Sequence, residues 1–148
     1  MNKVIIIMLL SLVSVCAKAQ DIMIARSTLS FPEAMSSLQN SIIDHKYTLS
    51  RVQRIDVGLT KAGYKTDLYR VVFFGKHDEL KWMSDNYPEL AAYLPLKIAI
   101  FAEKDETVIV ALNPEHYIDV EADKSLKLIY SRWVKDMKSI LKDFRVAE

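Results

Sequence analysis

The stretch LPLKIAIFAEKDETVIVALNP, Leu94 to Pro114, sets two apolar runs on either side of a charged tip and constrains the fold more than any other part of the chain. Leu96, Ile98 and Ile100 share one face of the first run, and Ala99 and Phe101 the other. Glu103 to Glu106 makes the turn and Thr107 to Leu112 returns. Alternation with a period of two around a polar turn predicts a core β-hairpin. An isolated hairpin is marginal in water, so the rest of the chain must supply further strands and a helical cover.

Upstream, Asp21 to Leu29 reads as a first strand. Ser30-Phe31-Pro32-Glu33 follows, with serine three residues ahead of glutamate and proline in the first turn, the signature of a capped helix start. Phe31, Ala34, Met35, Leu38 and Ile42 then fall at helical spacing, predicting a helix that ends near His45-Lys46. Tyr47 to Leu59 alternates well enough for a second strand, with Arg51 and Arg54 marking a bulge or an edge. Thr60 to Asp67 reads as a loop in which Gly63 takes positive φ, and Leu68 to Lys76 as a central strand, apolar apart from Arg70. Asp78 to Asn86 looks helical until Pro88 interrupts it.

The longest helix is expected over Glu121 to Arg145, where Leu126, Ile129, Trp133, Met137, Ile140 and Phe144 advance by three or four residues. Lysines hold its other faces, but Asp123, Asp136 and Asp143 dilute them, which favours a solvated face over a lipid-binding one. Strands linked by hairpins with few crossovers predict an α+β fold. It is an antiparallel sheet of about five strands with helices packed on one side.

The N-terminus, MNKVIIIMLLSLVSVCAKAQ, has one early lysine, an apolar run from Val4 to Val15, and Ala17-Lys18-Ala19. That pattern predicts a signal peptide over residues 1–19, cleaved before Gln20, and a periplasmic or secreted domain over residues 20–148. The run is too short for a membrane span, which needs about 20 apolar residues. A lipid-anchored alternative at Cys16 is disfavoured by Val15, which stands where a small residue is wanted. Removal of 19 residues from 148 leaves 129, a size suited to one domain with one core. It also takes two lysines from 20 basic residues and none of the 19 acids, leaving 18 against 19. A near-neutral domain is a poor candidate for nucleic-acid binding through phosphate neutralisation. Cys16 is the only cysteine, so the mature domain has no disulfide, thiol nucleophile or thiolate metal site.

A resemblance sharpens this reading. SFPEAMSSLQNSIIDHKYTLSRVQRIDV, then KAG, YRVVFFGK, LKWMSDNYPELAAYLPLKIAIF and VIVALNPEHY, resemble the domain of unknown function 302 family from about Ile24 to Tyr117. The most specific parts are Ile55-Asp56 with Lys61-Ala62-Gly63, the strand closing in Gly75, and the spacing of Pro88 to Leu94-Pro95. The resemblance implies a TATA-binding-protein-like arrangement of strand, helix, strands and helix, commonly paired as a homodimer, with no established biochemical activity. DNA binding does not follow from a fold name.

Among chemistry-bearing residues, Asp56, Lys61 and Arg70 lie closest to apolar strand sequence, and pairing inside the fold would perturb their ionisation. Asn113 and His116, in NPEHY, end the hairpin and are candidates for a pocket mouth. His45, His77 and His116 each neighbour an acid, but no H-x-x-x-H or H-x-H spacing marks a metal site, and no metal or cofactor is expected. Ser36, Ser37 and Ser41 lack the elbow and partners of a nucleophile. Trp82, Tyr87, Tyr93, Trp133 and Phe144 suit either a cleft between sheet and last helix or ordinary core contacts. The expected function is a non-enzymatic homodimeric binding module for a small apolar ligand or a protein partner. A metal-handling or redox-associated protein, and an enzyme built on Asp56, Lys61 and Arg70, are the alternatives.

Overall fold

The chain enters its first helix at the capping residues: Glu33 accepts the Ser30 backbone N–H at 3.2 Å and the Ser30 hydroxyl as well. The computed structural model describes residues 22–117 and 124–146. Over these, β1 is Ile22–Ser27, α1 Phe31–Asp44, β2 Thr48–Arg54, α2 Ile55–Lys61 and β3 Tyr69–Gly75. Then follow α3 (His77–Asn86), a 3-10 helix (Pro88–Tyr93), β4 (Leu96–Glu103), β5 (Glu106–Leu112), a second 3-10 helix (Pro114–Tyr117) and α4 (Lys124–Val146). The Leu94–Pro95 peptide is cis. The expected signal peptide and lipid-anchor cysteine, Asp21, and positions 121–123 of the last expected helix lie outside the described residues. Among the described residues, no helix is long and apolar enough to cross a membrane.

The sheet is antiparallel throughout, in the order β1-β5-β4-β3-β2. Strands β2 to β5 form a meander, whereas β1 lies on the edge opposite to β2, so α1 must cross the sheet to join them. Five strands at about 4.8 Å spacing span about 19 Å. A helix of 14 residues is about 21 Å long, enough for that crossing.

Strand register fixes which residues share a face. Ala25, Ile109, Ile100 and Arg70 are aligned across the sheet, and with Met23, Ala111, Ile98, Leu96, Val72 and Phe74 they form the side covered by helices. Against it α4 buries Leu126, Tyr130, Trp133, Met137, Ile140, Leu141 and Phe144. Each large apolar side chain so buried contributes about 1.5–3 kcal/mol, so packing rather than intrinsic propensity holds the helix in place. At Gly75, the last residue of β3, a Cβ would come within 2.4 Å of the end of the Leu80 side chain of α3, so glycine lets that side chain lie against the strand.

The expected strand over Tyr47 to Leu59 stops early. Its bulge is present, as a register shift between Leu49 and Arg51, but the chain turns helical at Ile55. Asp56 starts that helix in the sense the dipole favours, and Gly63 at φ 88° ends it. The Tyr64 N–H donates to the Leu59 carbonyl and the Gly63 N–H to the Thr60 carbonyl, both at 3.0 Å. The same termination closes α1, with Lys46 at φ 65° in the glycine position. Here the Tyr47 N–H donates to Ile42 O at 3.2 Å and the Lys46 N–H to Ile43 O at 2.8 Å.

A side chain in the left-handed region costs about 1 kcal/mol relative to glycine. Lys46→Gly is therefore expected to raise folding stability by up to about 1 kcal/mol, and Gly63→Ala to lower it by about as much. Urea midpoints of the two variants moving in the same direction would refute this account of the helix ends.

Candidate functional site

Two polar clusters sit under the helices, and one apolar surface lies opposite them. The first cluster is the one the sequence points to. Arg70, on the covered face of β3, donates to Asp56 Oδ1 across the start of α2. Each side chain is 12% exposed. Arg70 also donates to the Tyr69 carbonyl at 3.0 Å, and its guanidinium stands 5.6 Å from the centre of the Phe31 ring, in cation–π range. The hydrogen bond from Arg70, with help from the Val57 backbone and against the effect of burial, holds the Asp56 carboxyl below its usual pKa.

A carboxylate held ionised and an arginine that never loses its proton offer no acid–base couple near neutral pH. Lys61, at the other end of α2, is exposed and is not among the partners of the pair. The arrangement is that of a clamp fastening α2 to β3.

Asn113 is buried and serves as a cap. Its Oδ1 accepts from the Glu115 N–H at 3.1 Å and its Nδ2 donates to Glu115 Oε2 at 3.2 Å, starting the second 3-10 helix. The side chain of His116 lies outside the described residues. His45 caps the end of α1, with Nδ1 2.8 Å from the Ser41 carbonyl and 4.0 Å from Asp143. Ser41 donates to Asp143 at 2.7 Å, joining α1 to α4 rather than presenting a nucleophile to a base. Among the described residues, no group of three or more His, Cys, Asp or Glu side chains is placed to hold a metal ion.

The second cluster is absent from the sequence reading. Glu79 of α3 accepts from Arg132 and, at 3.0 Å, from the Trp133 indole N–H. Asp136, 3.9 Å from Arg132, accepts the Tyr47 hydroxyl at 2.7 Å. Burial first, and then the bond to Asp136, raise the pKa of Tyr47. Burial pulls the Arg132 pKa down, but Glu79 and, after it, Tyr47 together outweigh it and leave the guanidinium more firmly protonated than usual. The i, i+4 spacing of Arg132 and Asp136 is a signal in the sequence; their partners Glu79 and Tyr47 lie 53 and 89 residues away and carry none.

Trp133 and Phe144, expected as cleft-lining or core residues, are core. Trp82 and Tyr87 form an edge-to-face pair at 5.5 Å, and Trp82 and Tyr93 are exposed. The grooves lie at the surface. One of about 710 Å³ runs along α1 beside Asp143, and one of about 400 Å³ separates β1 from α4.

The opposite face of the sheet has an apolar centre. Strand register aligns Ile24, Val110, Ala99 and Val71 in one row, with Ile22, Leu112 and Phe73 on one side and Phe101, Tyr69 and the buried Val108 on the other. Ile22, Ile24 and Leu112 are 53%, 48% and 47% exposed. Charges stand at the two ends of the strands. Arg26 binds Glu103 at 2.5 Å and Glu106 at 2.9 Å at one end, and Lys97 and Arg51 occupy the other.

The clamp has a measurable signature. Asp56→Asn leaves Arg70 half of a largely buried pair and is expected to cost about 2–3 kcal/mol of stability. Because the folded carboxyl has the lower pKa, the pair's full stabilisation is present above about pH 4, the ordinary carboxylate value. It is lost as pH falls through the folded-state pKa. The stability difference between parent and variant should therefore shrink on acidification, and a difference unchanged down to about pH 2 would contradict the assignment.

Comparison with known proteins agrees with this architecture. The family model described as domain of unknown function DUF302 matches residues 23–144. The crystal structure of an uncharacterized conserved DUF302 protein from Bacillus stearothermophilus superposes with a TM-score of 0.74 at 16% identity, covering 86% of this chain and 100% of that one. At that identity the likeness shows the fold alone. No curated protein matches the chain. With most of its described length matched, from within β1 to near the end of α4, the chain belongs to the DUF302 family.

Proposed function

We propose that the chain is an exported, non-enzymatic interaction module that works as a homodimer through its open sheet face. The observation that carries this reading is the apolar surface of that face, most open toward β1, where Ile22, Ile24 and Leu112 are each about half exposed, and continued at the centre by the partly exposed Val110, Ala99 and Val71. Large contiguous apolar surface on a folded domain marks an interaction site. Among the described residues, the charged groups of the two clusters on the helical side are engaged in ion pairs, Asp56 with Arg70 and Glu79 with Arg132, whose buried Nε alone is without a hydrogen bond, 3.9 Å from Asp136.

The pattern of charge favours a second copy as the occupant. Along the central strand β4, Lys97, Ala99, Phe101 and Glu103 point to the open side, a cation at one end and an anion at the other. A two-fold axis in the plane of the interface and perpendicular to β4 sets Lys97 against the partner's Glu103, and Glu103 against the partner's Lys97. The apolar centres then meet. The surface is thus self-complementary, as an isologous interface requires. Asp21–Ile22 lies close to the expected cleavage point before Gln20, so processing would leave β1 near the start of the mature chain.

The test is sedimentation of the mature chain. The parent is expected to be a dimer and Val71→Glu, which puts a charge in the centre of the face, a monomer with unchanged circular dichroism. Glu103→Lys should weaken the dimer and the double exchange Lys97→Glu/Glu103→Lys should restore it. A parent that remains monomeric at every concentration, or a dimer indifferent to both substitutions, would end the proposal.

A further inference from the structure

The two edges of the sheet are built differently. β2 is broken by its bulge and exposes Arg51 and Arg54, both of which discourage pairing with another strand. β1 keeps an unbroken register with β5 over all six of its residues, without proline or bulge. Alternate residues of an edge strand turn their N–H and C=O groups outward. The Ile24 carbonyl is one such outward group, since it accepts from the Arg145 side chain of α4, beyond the edge. Along this edge runs the groove of about 400 Å³, lined by Ile22, Met23, Ile24, Asn113, Lys138, Leu141 and Arg145. Among the described residues its charged lining is two cations and no carboxylate.

We propose that the β1 edge is a docking site for an extended peptide segment in which apolar and acidic residues alternate. A strand added to β1 places its side chains by turns on the two faces of the sheet. On the open face they meet Ile22 and Ile24, both about half exposed, which calls for apolar groups. On the helical face they meet Lys138 and Arg145, both exposed, which calls for carboxylates. Arg145 guards the edge in the free protein. An incoming backbone N–H takes its place on the Ile24 carbonyl and releases the guanidinium to a peptide carboxylate.

A second copy fits this edge poorly. Pairing β1 with β1 about a two-fold axis brings Lys138 and Arg145 of both chains to one rim, a repulsive arrangement. The described residues of β1 on the helical side, Met23, Ala25 and Ser27, offer no carboxylate to relieve it. The proposal is separate from dimerisation through the open face, although it shares Ile22 and Ile24 with that surface.

The test uses a six-residue peptide, matching β1 in length, with alternating valine and glutamate, capped at both ends and fluorescently labelled, against its valine–lysine counterpart. Anisotropy titrations are run on the mature chain and on Val71→Glu, so that failure of the dimer and failure of the edge are read apart. The valine–glutamate peptide is expected to bind the monomeric Val71→Glu saturably, and the dimeric parent too but more weakly because Ile22 and Ile24 are shared with the dimer face, in both cases less tightly as salt rises, and to slow amide hydrogen exchange at Ile22 and Ile24. Lys138→Glu/Arg145→Glu is expected to lose about tenfold or more in affinity for it and to prefer the lysine peptide. Equal binding of both peptides, no binding, binding unaffected by the charge reversal, or binding without protection in β1 would each overturn the proposal.

Discussion

The pairing of β1 with β5 is the constraint on which the rest of the structure depends. The two strands are 80 or more residues apart along all of their register, and without that ladder the meander β2 to β5 would leave both its outer strands open. Because β1 takes the edge far from β2, α1 is committed to crossing the sheet, and its 14 residues are about the length the crossing needs. That crossing covers part of one face only. The remaining apolar strip beside β1 and β5 must be covered from elsewhere, and α4 does so with the largest buried side chains of the chain, Trp133 and Tyr130. Contacts between elements distant in sequence are costly to close, so a fold resting on them requires a large, well-packed core.

Polar interior groups fix how the helices lie on that core. Apolar packing tolerates sliding, whereas a half-buried ion pair does not, since displacement leaves a charge without its partner. Asp56–Arg70 fastens α2 to β3, Glu79 fastens α3 to α4 through Arg132 and Trp133, Asp136 ties α4 to Tyr47 ahead of β2, and Ser41 with Asp143 ties α1 to α4. The first spans 14 residues between successive elements; the others join elements 53 or more residues apart. Their charged members resemble catalytic groups in composition, but each acid already has a donor and each arginine an acceptor.

The hairpin, the capped start of α1 and the long amphipathic helix were legible in the sequence because each rests on local chemistry: a period of two, a cap and a period of three to four. The stretch after Arg54 was misread because IDVGLTK is short and its valine, leucine and isoleucine fit a strand as well as a helix. The clue was there in Lys61-Ala62-Gly63, since glycine after a cationic last turn is a helix stop as much as a loop. Of the expected site residues, Asp56 and Arg70 are brought together, while Lys61 stands apart and Asn113 proves to be a cap. The Glu79–Arg132–Asp136–Tyr47 cluster was not legible, because partners 53 and 89 residues apart share no spacing rule.

Division of labour between the two faces of the sheet then follows from topology. Among the described residues, the helices that cover apolar strand residues lie on one side, since α1 crosses there, α4 fills the gap beside it, and Glu79 and Asp56 hold α3 and α2 against the same layer. The described helices leave the other side open, yet the central strands carry apolar residues on both faces: Val71 and Phe73 as well as Val72 and Phe74, and Ala99 and Phe101 as well as Ile98 and Ile100. A strand facing water on one side needs no such residues; polar ones would serve and would lower the risk of aggregation. Their presence, framed by Lys97 at one end of β4 and Glu103 at the other, gives the open face the composition of half an interface.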